Sequence, residues 1–116
     1  MKGLFIVFFL FTLLLSGCCS PSDCVQAKKG FKLYTPVTVA LDKYKADHGN
    51  YPSTLNKLIP NYLKSIPVPA GDKVPSEIKY SIKKNEYTLR FHYTGPGVNN
   101  CLYSSKLKKW TCSGYY

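Results

Sequence analysis

Residues 36–52, PVTVALDKYKADHGNYP, carry the chain from a helical pattern into a stop within seventeen positions. Leu33, Val37, Leu41 and Tyr44 recur at helical spacing, and Tyr34 and Ala40 widen the stripe, so one face of a helix is apolar. Thr35-Pro36 suits an N-cap followed by a first-turn proline, and Gly49-Asn50 is a stop signal, which predicts a helix over 36–47. A longer reading begins the helix at Asp23 and kinks it at Pro36, where the missing N–H and the ring disturb the preceding turn. Gly49 can take the positive φ that ends a helix, Tyr51 can fold back on the last turn, and Pro52 stiffens the exit.

Toward the C terminus, Ser53 reads as the N-cap of a short helical turn with Leu55, Leu58 and Ile59 on one face, closed by Pro60. Pro67, Pro69, Gly71 and Pro75 then hold residues 66–76 in an extended connection. After it the period falls to two. Ile78, Tyr80 and Ile82 alternate with Lys79, Ser81 and Lys83, and Tyr87, Leu89, Phe91 and Tyr93 alternate with Thr88, Arg90 and His92. Two strands joined around Lys84-Asn85-Glu86, each with one oily face, predict a β-hairpin. Gly95-Pro96-Gly97 breaks the pattern, and residues 101–104 and 109–112 supply a second pair. The expected fold class is α+β, an N-terminal amphipathic helix packed on a three- to four-stranded antiparallel sheet.

Toward the N terminus, Lys2 is followed by Leu4 to Leu15, apolar apart from Thr12, and then by Ser16 and Gly17. This is the pattern of a secretory signal, too short for a comfortable membrane span, which needs about twenty apolar residues. Leu15-Ser16-Gly17-Cys18 resembles the lipobox of bacterial lipoproteins. The resemblance implies residues 1–17 as signal peptide, lipidation at Cys18 with diacylglycerol and a further acyl chain, and residues 18–23 as a lipidated tether ahead of a 24–116 domain. One acyl chain binds a membrane marginally, whereas two or three hold a protein there. Cys19 stands where some bacteria place the Asp that retains lipoproteins at the inner membrane, so the implied location is the cell envelope, outer membrane over inner. Two rival readings are a cleaved, soluble secreted protein with an ordinary thiol at Cys18, and a prepilin leader at Lys2-Gly3. The second lacks the acidic residue that such leaders require, since position five counted from Leu4 is Phe8.

Without residues 1–17 the chain keeps fifteen Lys plus Arg against six Asp plus Glu, a net charge of about +9, and all five Cys. So small a domain buries only a little over about 60% of its unfolded surface, and a covalent staple is expected. In an oxidising compartment Cys19, Cys24, Cys101 and Cys112 read as disulfide partners. Four thiols allow three connectivities; the most economical joins Cys101 to Cys112 and leaves Cys19 to pair with Cys24. No C-x-x-C spacing is present and His48 and His92 lie far from any Cys, so no metal site and no cofactor are expected.

The segment from Ala40 through His48-Gly49-Asn50-Tyr51-Pro52, with Leu55, Leu58, Pro60 and Ile66-Pro67, resembles the globular head of type IV pilin and type II secretion pseudopilin proteins. The resemblance is best over residues 37–69 and implies a helix running through a Gly-x-Tyr-Pro turn onto an antiparallel sheet. A C-terminal disulfide loop such as Cys101 to Cys112 is similar to one that many pilins carry. The acidic calcium loop of the major pseudopilins has no counterpart, because Asp72, Glu77 and Glu86 stand isolated among lysines.

The carboxylates form no close pair for acid and base work, neither His lies in a nucleophile motif, and no phosphate-binding glycine loop is present, so the reading is non-enzymatic. His48 suits the helix C terminus as a cation, and His92 falls on the polar face of its strand. Lys28, Lys29 and Lys32 crowd the membrane-proximal arm, where an anionic leaflet attracts lysines. Lys106, Lys108, Lys109 and Trp110 form a candidate patch for anionic ligands, the Trp offering a stacking surface. The function expected is a lipid-anchored envelope protein with a structural or interaction role linked to a secretion or pilus system. Its partners are the membrane, through the lipid, and an envelope protein. The alternatives are a surface DNA-binding lipoprotein for uptake, which adds nucleic acid as a partner, and an inhibitor of a periplasmic hydrolase. The inhibitor reading is disfavoured where the target enzyme is itself basic.

Overall fold

The computed structural model describes residues 19–70, 75–95 and 97–115. Residues 1–18, which hold the expected signal peptide and lipidation site Cys18, and Asp72 lie outside the described residues. One helix, α1 (Val25–His48), packs on a four-stranded antiparallel sheet of β1 (Lys79–Lys83), β2 (Glu86–Thr94), β3 (Val98–Ser104) and β4 (Lys109–Tyr115). The strands lie in chain order, each paired with the next. The fold is therefore α+β, with four strands where three or four were expected.

The helix is a single element through Pro36; its extent is that of the longer of the two readings, starting two residues after Asp23. Pro36 sits on the exposed side, while Ala27, Gly30, Tyr34, Val37, Ala40 and Leu41 continue one buried face across it. Burial of that face on both sides of the proline outweighs the local loss. Thr35 also donates its hydroxyl to the Phe31 carbonyl one turn back, and Thr38 donates to the Thr35 carbonyl at 2.7 Å. The helix ends at Gly49, whose φ of 83° is left-handed and whose N–H reaches the Lys45 carbonyl at 2.7 Å.

Tyr51 folds back as expected: the Lys45 ammonium lies 4.6 Å from its ring centre, and the ring meets Tyr87 edge-on at 4.7 Å. The following turn differs from expectation. It is a 3-10 turn, Leu55–Leu58, with Thr54 and not Ser53 in the capping position; Leu58 is buried and Ile59 faces outward.

β1 and β2 are joined by Lys84 and Asn85, both at positive φ (49° and 63°), with Lys83 opposite Glu86. Two left-handed residues make a type I′ turn, whose twist suits a tight hairpin. Along β2, Tyr87, Leu89, Phe91 and Tyr93 are buried and point at α1, and the residues between them face away. The core has two halves. Cys24, Ala27, Tyr34, Phe91, Tyr93 and Cys101 pack beneath the first half of α1, and Val37, Ala40, Leu41, Leu58, Tyr87 and Leu89 beneath the second.

Candidate functional site

The core order fixes the direction of the molecule. The first half of α1 lies over the Thr94 end of β2 and the second half over the Glu86 end, so helix and strand run antiparallel. Two ends result: one holds the start of α1, the other both outer hairpin turns.

At the first end Cys19 is joined to Cys24, and their Cα atoms are 5.1 Å apart. Cys24 is buried in the core, the N–H groups of Asp23 and Cys24 both reach the Ser20 carbonyl, and the Tyr93 hydroxyl donates to the Pro21 carbonyl. Pro21 also lies near Gly114 of β4. Of the tether expected over 18–23, residues 19–23 thus form a loop clasped to the helix start and the sheet. Lys28, Lys29 and Lys32 are exposed on α1 near this end. The second disulfide joins Cys101 to Cys112, which face each other directly across β3 and β4 with Cα atoms 4.1 Å apart.

At the second end, Lys106 and Lys108 are exposed in the turn between β3 and β4, and exposed Lys109 opens β4. Trp110 does not join them at the surface. Its half-buried ring packs against Phe31 and Phe91, each 5.3 Å away, and against Tyr103 at 5.4 Å. A strand alternates sides, so the residue after outward Lys109 has to point inward.

The register places two further lysines beside this turn. Lys83 and Lys84 belong to the β1–β2 turn, and the Tyr87 N–H donates to the Ser105 hydroxyl at 2.9 Å while the Ser105 N–H reaches the Tyr87 carbonyl at 3.0 Å. The two turns are therefore neighbours. The basic patch expected at Lys106, Lys108 and Lys109 omits Lys83 and Lys84, although the hairpin and the second strand pair together imply that both outer turns share one end.

Between the ends lies a tyrosine-rich wall. The Tyr80 hydroxyl donates to the Pro52 carbonyl at 2.7 Å, tying the turn after α1 to β1, and the Tyr34 hydroxyl donates to the Ser76 carbonyl. Burial, with the Glu77 charge adding to it, pushes the Tyr34 phenol up to about 12, and burial followed by neighbouring Tyr51 and Tyr44 does the same for Tyr80. Tyr62, which donates to the Asp47 carboxylate at 2.7 Å, is also pushed up to about 12, chiefly by that bond. Tyr87 is pushed up most strongly, by burial first.

His48 stacks on Tyr44 with ring centres 4.0 Å apart, and its Nδ1 lies 3.1 Å from the Tyr44 carbonyl at the helix end. His92 is exposed on the outer face. Among the described residues no three His, Cys, Asp or Glu side chains gather as a metal site would need, and no helix is long and apolar enough to cross a membrane. A shallow depression of 460 Å³ on the outer sheet face is lined by Arg90, Asn100, Leu102, Thr111, Cys112 and Ser113. It holds one charged group and no partnered acid or base.

No protein-family model, curated protein or solved structure matches the chain.

Proposed function

We propose that this is a lipid-anchored protein of the bacterial cell envelope, with a pilin-like head and a non-enzymatic role in assembly or protein contact linked to a secretion or pilus system. The observation that carries the reading is the juxtaposition of Leu15-Ser16-Gly17-Cys18 with the Cys19–Cys24 clasp. In this reading the acylated residue is bonded directly to one that is fixed to the folded domain. The head then stands at the bilayer with almost no slack, and acyl chains replace the apolar stalk by which pilins stack. The helix entering Gly49-Asn50-Tyr51-Pro52 and passing onto an antiparallel sheet supports the pilin-like part. The outer membrane is the favoured site, with the head facing the periplasm or the exterior.

The test is the intact mass of the protein extracted from membranes. Residues 18–116 carrying diacylglycerol and an amide-linked acyl chain is the expected species, and reductant adds four hydrogens for two disulfides. A chain that keeps residues 1–17, or is released with a free thiol at Cys18, refutes the anchor. Crosslinking in intact cells tests the contact role, for which an envelope protein partner is the expected product and a monomer throughout is the contrary result.

A further inference from the structure

We propose that the two hairpin turns at the end of the sheet remote from Cys19 form one cationic surface that binds duplex nucleic acid through its phosphates. Lys83 and Lys84 come from one turn and Lys106, Lys108 and Lys109 from the other, all five exposed. They are more than twenty positions apart in the chain and are brought together by the register, through the paired bonds between Tyr87 and Ser105. Glu86 is the one carboxylate within residues 83–86 and 104–109. The turns are held rigidly: Asn85 and Lys108 take positive φ, and the Lys108 N–H closes on the Ser104 carbonyl at 2.7 Å.

The arrangement favours a particular anion. The turn centres are two strand spacings apart, about 10 Å. That is close to the opening of the major groove, about 12 Å, so the turns can reach phosphates on both walls of one duplex. Lysine ammoniums are point charges that neutralise phosphates without reading bases, so binding is independent of sequence. Single strands are held by stacking on exposed aromatics as well as by charge. Trp110, the aromatic next to the lysines, is taken up by Phe31, Phe91 and Tyr103, which leaves the electrostatic part alone. Leu107, 58% exposed between Lys106 and Lys108, is the one apolar side chain at the tip. A bilayer would use it and a duplex would not, which makes it a discriminating position. This surface does not depend on the anchor: it exists whether or not Cys18 is acylated.

The experiment uses the protein as purified from cells, held in nanodiscs of uncharged phosphatidylcholine where it is acylated and free in buffer where it is not, and a fluorescent mixed-sequence duplex of about 20 base pairs, read by anisotropy. Five phosphates neutralised give a slope of log affinity against log salt of about −4.5, hence an affinity loss of about 500-fold between about 50 and about 200 mM salt. Lys83→Gln with Lys84→Gln, and separately Lys106→Gln with Lys108→Gln, each weaken binding about tenfold or more at low salt and flatten the slope by about 2. Lys28→Gln with Lys29→Gln, at the opposite end, and Leu107→Ala leave affinity within about twofold, and unchanged circular dichroism certifies each fold. Equal loss from substitutions at both ends would overturn the proposal in favour of diffuse net charge. Weakening by Leu107→Ala, tighter binding of the single strand, or displacement of the duplex by phosphatidylglycerol vesicles at lower phosphate than unlabelled duplex needs would each overturn it too, the last assigning the surface to lipid headgroups.

Discussion

A Cβ added at Gly30 would overlap the Phe91 ring, so this helical position has no room for a side chain. Glycine inside a helix ordinarily loses about 1 kcal/mol to alanine. Here the loss is accepted because Phe91 fills the space under α1, tilted against Tyr34 at 5.5 Å and edge-on to Phe31 at 6.0 Å. Gly30→Ala therefore sets a propensity gain of about 1 kcal/mol against overpacking that costs about 1 to 3 kcal/mol and sometimes more. The expected outcome is a net destabilisation of up to about 2 kcal/mol, seen as a fall of up to about 16 °C in the melting temperature of a domain this size. Gly49→Ala separates the two roles of glycine: nothing lies within 4 Å of a Cβ there, so its cost comes from the φ of 83° alone and is about 1 kcal/mol. An equal or higher melting temperature for Gly30→Ala would mean that the ring moves aside freely.

At the scale of the element, α1 and β2 show what pattern alone can and cannot reveal. The alternation of Tyr87, Leu89, Phe91 and Tyr93 is strict, and those four residues are the buried face of β2. The first half of α1 was harder to read, because Gly30 and Pro36 both argue against a helix locally and tertiary burial overrides them. The same limit hid the basic end: charge runs at 83–84 and 106–109 are visible in sequence, but only strand register makes them neighbours. Trp110 reads as surface from its lysine neighbours, and the structure corrects this, because the alternation of β4 turns its ring inward.

Pro36→Ala tests the override. It restores an N–H to the helix and removes the clash with the preceding turn, a gain of up to about 3 kcal/mol, less about 0.4 to 1 kcal/mol for the greater freedom of the unfolded chain. Denaturant unfolding should show a rise of about 1 to 2 kcal/mol with unchanged slope, and a loss would mean that the proline sets a bend the core needs. β4 makes a second test. It is an edge strand whose one covalent tie is Cys101–Cys112, closing a loop worth about 2 to 3 kcal/mol in the chain-entropy model. Replacing both with Ser should lower stability by about that amount and leave amide protection of β2 above that of β4.

For the whole molecule, the distribution of tyrosine decides how the fold answers alkali. Tyr34, Tyr62 and Tyr80 are pushed up to about 12, and Tyr51, Tyr87 and Tyr103 are raised as well, burial being the leading cause for all but Tyr62. In the unfolded chain each phenol ionises near its ordinary value of about 10. The folded state thus holds more protons than the unfolded state between about 10 and 12, and stability falls as pH rises through that window. Below about pH 10 both states carry neutral phenols and the contribution is fully present. The hydroxyls of Tyr34, Tyr80 and Tyr62 tie α1 to Ser76, the turn at Pro52 to β1, and Tyr62 to Asp47 near the end of α1, so their ionisation loosens three separate connections at once. The expected observation is a steep fall of the melting temperature above about pH 10, with tyrosinate absorbance rising together with loss of helical signal. Tyr34→Phe and Tyr80→Phe each lose a hydrogen bond worth about 1 kcal/mol at neutral pH but lessen the alkaline slope. A parent protein whose tyrosines titrate near pH 10 while α1 remains folded would show that the phenols are open to water, contrary to the packing described.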